Sequence, residues 1–511
     1  MHDTFFVTTP IYYVNDVPHI GHAYTTVAAD VLARYHRMAG STVLFITGTD
    51  EHGQKVQEAA RKRGIPPLLH CDEMVTRFKE LWSALTISHD DFIRTTEDRH
   101  QKIVQAILTA LYAQGDIYKT SYEGWYCVPD ERFWTVKDLV NGNCPECGRE
   151  VQQIQESNYF FRMSTYQQWL VSYIEEHPAF ILPRTRRNEI MGFLRQPLAD
   201  LCISRPRQRL SWGIPIPFDQ DYVTYVWFDA LINYVSTAGY LTHNERFFPL
   251  WENAVHLIGK DILTTHCVYW PTMLKAMGMS PPRTIFAHGW WTVEGHKMSK
   301  SLNNVVEPNG LVARFGADPV RFFLLREGTF GVDADFSHQA LIHRINSELA
   351  NDLGNLFNRS LAMTDKYFKG VIPRPSSPEG IDERLREKAL EVVNRVDTAM
   401  ADIAFHKSLE AIWELVALTN KYIEETAPWS LAKHTDTRQR LASVIYCVLE
   451  SLRCIAVLLF PFIPSSAERM WEALGMKEPL ARQSLNAIRR WGGMPGGTAV
   501  KHIPQLFPRI E

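Results

Sequence analysis

Over residues 5–85 the hydrophobic repeat of this chain keeps changing period. Phe5-Phe6-Val7-Thr8-Thr9 is a short apolar run of β-formers. Ala23 to Ala39 has the three-to-four-residue spacing of a helix and stops before Gly40. Val43-Leu44-Phe45-Ile46-Thr47 is a second buried-strand run, and Lys55–Arg63 and Cys71–Leu85 are helical again. Such alternation admits few solutions. The fold expected is α/β, a doubly wound parallel sheet with helices on both faces. Ligands on these sheets gather at the carboxyl ends of the strands.

The rhythm breaks between about Tyr118 and Pro217, a stretch rich in aromatics, Cys, Pro and Arg that reads as an insertion. Strand patterns resume at Tyr222–Trp227, Ala254–Ile258 and Thr284–Ala287. From Ile342 onward the pattern is helical, with amphipathic runs at Glu348–Tyr367, Ile381–Met400, Ser408–Glu425 and Arg438–Leu459. The domain plan is therefore 1–117 and 218–290 as two halves of the sheet, 118–217 inserted between them, 291–341 as a connecting region and 342–511 as a helical bundle.

The bulk properties narrow the class. A chain of 511 residues is too long for one core. Its net charge of −3 excludes an overall cationic surface, though a local basic face for RNA remains open. Eight cysteines in this length are no disulfide framework, and the first ten residues run straight into a strand. A cytoplasmic enzyme is expected. The apolar run Val444–Pro464 carries Glu450 and Arg453 near its middle, so a buried bundle helix fits better than a membrane span.

Two motifs carry chemistry. His19-Ile20-Gly21-His22 lies after a strand and a Pro18 turn, at the start of a helix. Histidines at i and i+3 share a face, glycine allows close approach to the backbone, and a helix N-terminus favours phosphate. Imidazole N–H groups there suit charge developing on a phosphate. A chance H-x-G-H is expected roughly 0.04 times in a chain of this composition, so alone it is moderate support. Lys297-Met298-Ser299-Lys300-Ser301, preceded by Gly295, places two cations and two hydroxyls on a loop that could clamp a polyphosphate.

In this order, about 280 residues apart, the pair resembles the HIGH and KMSKS signatures of class I aminoacyl-tRNA synthetases. Thr9–His19, Thr47–Gly53, Tyr225–Ala230 and Gly259-Lys260-Asp261 with His266 and Trp270 resemble the methionyl-tRNA synthetase family in particular. The resemblance implies a Rossmann-type catalytic domain, an inserted zinc-knuckle connective domain and an all-α anticodon-binding bundle. It implies a ligase that joins L-methionine to ATP as methionyl-adenylate and then charges tRNA(Met), with Mg²⁺ travelling with ATP.

It also assigns residues. His19, His22, Lys297 and Lys300 match catalytic positions. Gly21, Gly259, Lys260, Asp261, His288, Met298, Ser299 and Ser301 match ATP-side positions. Ile11, Tyr13, Asp50, Trp227, Ala230, Tyr234 and His266 match the methionine pocket, with Asp50 on the substrate ammonium. A thioether sits well against aromatic rings, and the Tyr13 hydroxyl or a His266 nitrogen could offer its sulfur a hydrogen bond. Asn355, Arg359 and Trp429 match anticodon-reading positions, where a ring stacks on an unpaired base and polar groups bond base edges. Alternatively, Trp429 could plug the bundle and Asn355 could cap a helix.

Cys127-Val128-Pro129-Asp130 and Cys144-Pro145-Glu146-Cys147 have zinc-knuckle spacing, with Asp130 where a second cysteine is usual. One structural Zn²⁺ on Cys127, Asp130, Cys144 and Cys147 is expected, against a degenerate, metal-free knuckle. Cys71, Cys202, Cys267, Cys447 and Cys454 lack such spacing and read as small buried residues. The basic runs Arg184–Arg187 and Arg205–Arg209 read equally as a tRNA contact or a solvated face. The insertion spans only about 100 residues, too short for the editing domain of the isoleucine, valine and leucine enzymes. Little sequence follows the bundle, so a monomer is expected. The rival readings are another class I synthetase, a small HxGH adenylyltransferase, or an inactive tRNA-binding scaffold.

Overall fold

Phe6 and Val7 are completely buried in the first strand, as a strand covered by helices on both faces requires. The structure is a computed structural model that describes residues 4–127, 132–134, 136–145, 147–293, 295–297 and 305–511. Its central sheet holds seven strands: β1 (Thr4–Thr8), β2 (Tyr12–Tyr13), β3 (Thr42–Asp50), β4 (Asp91–Arg94), β5 (Ile181–Leu182), β6 (Ala254–Gly259) and β7 (Thr284–His288). All pairings are parallel. Across the sheet the order is β4-β3-β1-β6-β7-β5, and β2 continues along the β1 edge of β3, with Tyr13 opposite Asp50.

This order contains a switch point. From β1 the chain moves outward to β3 and β4, then crosses to the other side of β1, forming β5 at the far edge before β6 beside β1. At such a reversal, the loops leaving the carboxyl ends of the two neighbouring strands diverge and open a crevice. Thr9–Tyr13 leaves β1 there, and Lys260–Ile262 leaves β6.

Two strands depart from expectation. Tyr222–Trp227, expected as a strand of the parallel sheet, instead ends a strand at Thr224 and enters a helix at Val226. Asp219–Thr224 pairs antiparallel with Ser204–Pro206 and Pro215–Ile216 in a small separate sheet. An apolar run of this length carries no mark of which partner it will pair with. Conversely, Ile181–Leu182 lies within the inserted stretch yet forms the outer edge of the parallel sheet beside β7.

The insertion is built on a long hairpin, Ile117–Cys127 against Gln152–Phe161, with Cys127 at its tip. After β7, the strand Trp291–Val293 pairs with His296–Lys297 and with Ala334–Phe336. Helices then take over: a π-helical segment Ile345–Gly354 and five bundle helices, Asn355–Phe368, Gly380–Ala401, Phe405–Thr426, Arg438–Leu459 and Pro464–Ala473. Arg438–Leu459 is apolar enough to cross a membrane, but its apolar stretch from Leu441 to Leu459 is wholly buried within the bundle. Its Glu450 accepts from Arg453 and from the backbone N–H groups of Gly492, Gly493 and Met494, which is why a charged pair can sit in that core.

Candidate active site

The helix Ile20–Ala39, here α1, begins at the carboxyl end of β1 and is capped by its own motif. His19 is the N-cap residue, and its Nδ1 accepts from Gly21 N–H at 3.1 Å. His22 Nδ1 accepts in return from His19 N–H at 3.1 Å. The two rings stack with centroids 3.8 Å apart. A neutral imidazole that accepts at Nδ1 carries its hydrogen on Nε2, so the box selects the tautomer with an Nε2–H donor on each ring. Burial, and then the neighbouring His19, push His22 well below the usual histidine range, so it stays neutral.

Gly21 is explained by the same cap. A Cβ on residue 21 would lie 2.9 Å from His19 Cε1, inside van der Waals contact. Tyr12 backs the motif from below. Its ring lies 4.7 Å from that of His22, and its hydroxyl bonds Thr26 Oγ1 at 2.7 Å.

The second motif follows β7. Lys297 ends the short strand His296–Lys297, which pairs with Trp291–Val293 after β7, while Met298, Ser299, Lys300 and Ser301 lie outside the described residues. The chain re-emerges beside α1, where Val306 accepts a hydrogen bond from Ile20 N–H at 3.3 Å. The first signature is therefore bonded to the chain five residues past the second, at the switch point.

At the ends of β6 and β7, the ATP-side candidates are woven together. Lys260 Nζ donates to Asp333 Oδ2 at 2.6 Å and lies 4.0 Å from the Trp290 ring centroid. Trp290 donates its indole N–H to Asp261 Oδ1 at 3.1 Å and its backbone N–H to Asp333 Oδ1 at 2.9 Å. Burial alone would raise Asp333, but Lys260 and the Trp290 N–H hold it below the usual carboxylate range. Gly259 leaves room for Asp261, whose Oδ1 would lie 2.5 Å from a Cβ there. His288 spends both ring nitrogens inside the protein: Nδ1 donates to the Gly289 carbonyl at 2.7 Å, and Nε2 accepts from Thr25 Oγ1 of α1 at 2.6 Å. Trp290 and Asp333 escaped the sequence reading because nothing local marks Asp333, 73 residues from Lys260.

The methionine-pocket candidates fall in two groups. Ile11 and Tyr13 are half-buried after β1, and Asp50 closes β3 opposite Tyr13. Trp227, Ala230 and Tyr234 lie on the helices Val226–Leu231 and Asn233–Ala238, and His266 on the helical segment after β6. Tyr234 stacks on His256 at 4.1 Å and donates its hydroxyl to His266 Nε2 at 2.8 Å. His266 Nδ1 donates to the Ile262 carbonyl at 3.0 Å, and burial pulls this histidine down to about 4. Neutral His266 thus has no N–H left for a substrate sulfur. Trp227 stands edge-on to His266 at 6.4 Å.

Two further candidates sit apart. Cys127, Cys144 and Cys147 gather at the tip of the inserted hairpin, with their sulfurs all within 4.8 Å of one another. Cys127 and Cys147 sulfurs are 3.4 Å apart. Thiolates at Zn–S of about 2.3 Å in a tetrahedron stand about 3.8 Å apart, so the three fit three corners of a zinc site. Asp130 lies outside the described residues. In the bundle, Asn355 and Trp429 are exposed, and Arg359 is held by Glu424 at 2.6 Å and Asn420 at 2.9 Å.

The basic runs part ways. Arg205 is 3% exposed beneath the rings of Tyr126 and Tyr225, and Arg209 pairs with Glu156, while Arg207 between them is exposed, so that run is part packing and part surface. Arg184 is exposed, while Arg187 donates to the Ile174 carbonyl. Of the cysteines without knuckle spacing, Cys71, Cys267, Cys447 and Cys454 are buried and Cys202 is half-buried.

Comparison with known proteins agrees with this geometry. The family model for class I tRNA synthetases of the M type matches residues 5–156 and 150–361, and that for the anticodon-binding domain of methionyl tRNA ligase matches 372–511. The methionine--tRNA ligase of Caldanaerobacter subterraneus subsp. tengcongensis is 51% identical over 513 residues, covering 100% of this chain and 80% of the relative. That of Clostridium tetani is 49% identical over 510 residues, covering 99% and 79%. The structure of Mycobacterium tuberculosis methionyl-tRNA synthetase in complex with methionyl-adenylate superposes with a TM-score of 0.94 at 40% identity, covering 99% of this chain and 100% of that one. Sheet order, capped histidine motif and full-length similarity together show that the chain belongs to the methionyl-tRNA synthetase family.

Proposed function

We propose that the crevice at the switch point activates L-methionine with ATP and then charges tRNA(Met). The observation that carries this reading is the capped His19–His22 motif at the start of α1, whose Ile20 N–H bonds Val306, five residues past the second signature, at the end of the sheet. The substrate carboxylate attacks the α-phosphate in line. An O–P bond forms to the carboxylate, and the bond to the bridging oxygen breaks as pyrophosphate leaves. The 3′-terminal hydroxyl of tRNA then displaces AMP from the methionyl carbonyl. Positioning and charge stabilisation carry both steps.

The residue roles follow. His19 and His22 present Nε2–H donors to the phosphates at the positive end of α1. Lys297 and Lys300, with Met298, Ser299 and Ser301, close over the polyphosphate, and Mg²⁺ enters with ATP. Gly21, Gly259, Lys260 and Asp261 border the nucleotide, while His288 acts by pinning Thr25 of α1 to the end of β7. Asp50 holds the substrate ammonium, and Ile11, Tyr13, Trp227, Ala230, Tyr234 and His266 enclose the thioether. Because His266 has spent its N–H, Tyr13 is the sulfur's donor of the two considered. Asn355, Arg359 and Trp429 read the anticodon. A structural Zn²⁺ on Cys127, Cys144, Cys147 and Asp130 would tie off the tip of the inserted hairpin, which is part of a four-stranded sheet. We read the enzyme as a cytoplasmic monomer.

The test is amino-acid-dependent ATP–pyrophosphate exchange with each of the twenty amino acids. Exchange with methionine alone is expected. Exchange with another amino acid would overturn the pocket, and none at all would overturn the activity.

A further inference from the structure

Asp229 is fully buried on the helix Val226–Leu231, between Trp227 and Ala230, and its carboxylate is shared by two histidines. Oδ2 accepts from His52 Nδ1 at 2.6 Å, and Oδ1 accepts from His100 Nε2 at 2.7 Å. His52 and His100 are themselves buried. Burial alone would raise Asp229, but the imidazoles more than offset it and hold the group below the usual carboxylate range. The site therefore contains an ionised, dry carboxylate with both oxygens committed.

The elements it joins give it meaning. His52 lies two residues past Asp50, at the end of β3. His100 lies on the helix Asp98–Ala113, and its other ring nitrogen bonds Ser236 Oγ at 2.9 Å. Ser236 shares the helix Asn233–Ala238 with Tyr234. On the other side of Asp50's neighbour, Glu51 takes the Arg94 fork at 2.7 and 3.0 Å, with Thr49 and Thr96 donating as well. The end of β3 is thus gripped at residues 51 and 52, and the second grip leads directly to the helices that carry the thioether wall. A packing role alone would be met by an apolar residue without the cost of a buried charge.

We propose that Asp229 is a positioning residue for methionine: through His52 and His100 it sets the distance between Asp50 and the wall formed by Trp227, Ala230 and Tyr234. This rests on the pocket reading above. An amino acid must present its ammonium to Asp50 and its thioether to that wall at once, so a loosened clamp weakens methionine while leaving ATP untouched.

The test compares Asp229→Asn, Asp50→Asn and the double variant in the full-length protein, by L-methionine titration of tryptophan fluorescence and by exchange kinetics. The amide of Asp229→Asn accepts from only one of the two rings through its oxygen and turns an N–H toward the other. It is expected to raise the Kd for methionine about 10–100-fold, as for a lost hydrogen bond to a charged group. KM for ATP should stay within about twofold, and the added effect in the Asp50→Asn background should fall below about threefold, because the two residues act as one unit. Unchanged methionine binding in Asp229→Asn, where Asp50→Asn weakens it, would overturn the proposal. So would a full additional loss in the double variant. Normal binding by Asp50→Asn would instead remove the pocket reading, and the proposal with it. Should Asp229→Asn fail to fold, His52→Ala severs the same link and supports the same comparisons.

Discussion

Gly21 shows how a signature residue can be needed for a local reason. In sequence, the glycine of His19–His22 reads as room for a flat ligand. In the structure that room belongs to the capping ring of His19, 2.9 Å from where a Cβ would sit. Gly21→Ala should therefore swing His19 out of its cap while leaving the rest of α1 in place. Losing one preorganised donor to a transition state costs about 10²–10³ in rate. Adenylate formation in rapid-quench experiments should slow by about that factor, with the methionine Kd unchanged. An alanine variant of normal rate would mean that the cap does not orient His19 for chemistry.

His266 makes a second prediction at this scale. Its folded pKa of about 4 lies below the ordinary 6.5. Between these values the unfolded chain binds more protons than the folded one, so stability rises with pH. The loss sets in as pH falls below 6.5, and at pH 5 it amounts to about 2 kcal/mol from this residue. Urea denaturation at pH 7.5 and pH 5 should show that His266→Gln loses about 2 kcal/mol less than the parent over this interval. Equal losses would place the acid sensitivity elsewhere.

Among the elements, α1 is legible in its helical period and in its end at Gly40, which adopts φ 93°, but its capping box of His19 and His22 shows only in the structure, where the helix starts three residues before the run read from sequence. The bundle helices Gly380–Ala401, Phe405–Thr426 and Arg438–Leu459 are legible within about three residues at each end, because long amphipathic periods outlast local exceptions, whereas the shorter Pro464–Ala473 gave no such run. Trp429 tests the bundle's role. It is 43% exposed, just past Ala427, whose φ of 42° turns the chain between two helices. An exposed ring at a helix junction is suited to stacking, and packing inside the bundle does not account for it. Trp429→Ala should leave pyrophosphate exchange intact and lower kcat/KM for tRNA(Met) charging about 10–100-fold, the size of a lost base–aromatic stack. Unchanged charging would remove Trp429 from the anticodon site.

At the scale of the molecule, one buried arginine joins catalytic sheet and bundle. Arg321 pairs with Asp30 of α1 at 2.7 Å, donates to the Leu85 carbonyl at 3.1 Å, and donates to the Pro461 and Phe462 carbonyls at 2.8 and 2.9 Å. The helix that carries His22 is thus bonded to the residue that grips the end of the Arg438–Leu459 helix. Arg321→Met strands the Asp30 charge with only Arg34 and Ser88 as partners. A loss of about 3–5 kcal/mol is expected, and calorimetry should resolve two transitions in place of one, as the bundle uncouples. A single transition at the parent temperature would show that the interface does not depend on this hub.

The sequence by itself determined the class of fold, the order of the domains, and the two motifs whose spacing names a chemistry. These are carried by hydrophobic period and by residue types a few positions apart, and both survive without knowledge of the tertiary structure. It also placed Cys127, Cys144 and Cys147 together, since knuckle spacing is local. Only the tertiary structure decided which apolar run joins which sheet, because Tyr222–Thr224 and Ile181–Leu182 carry no sign of their partners. It alone decided that His288 and His266 spend their nitrogens inside the protein, and that Arg205 is packing rather than surface. It alone brought Asp229 to His52 and His100, 177 and 129 residues away. A hydrogen bond needs its two atoms within about 3 Å, and at such separations along the chain only the packed sheet and helices bring them there.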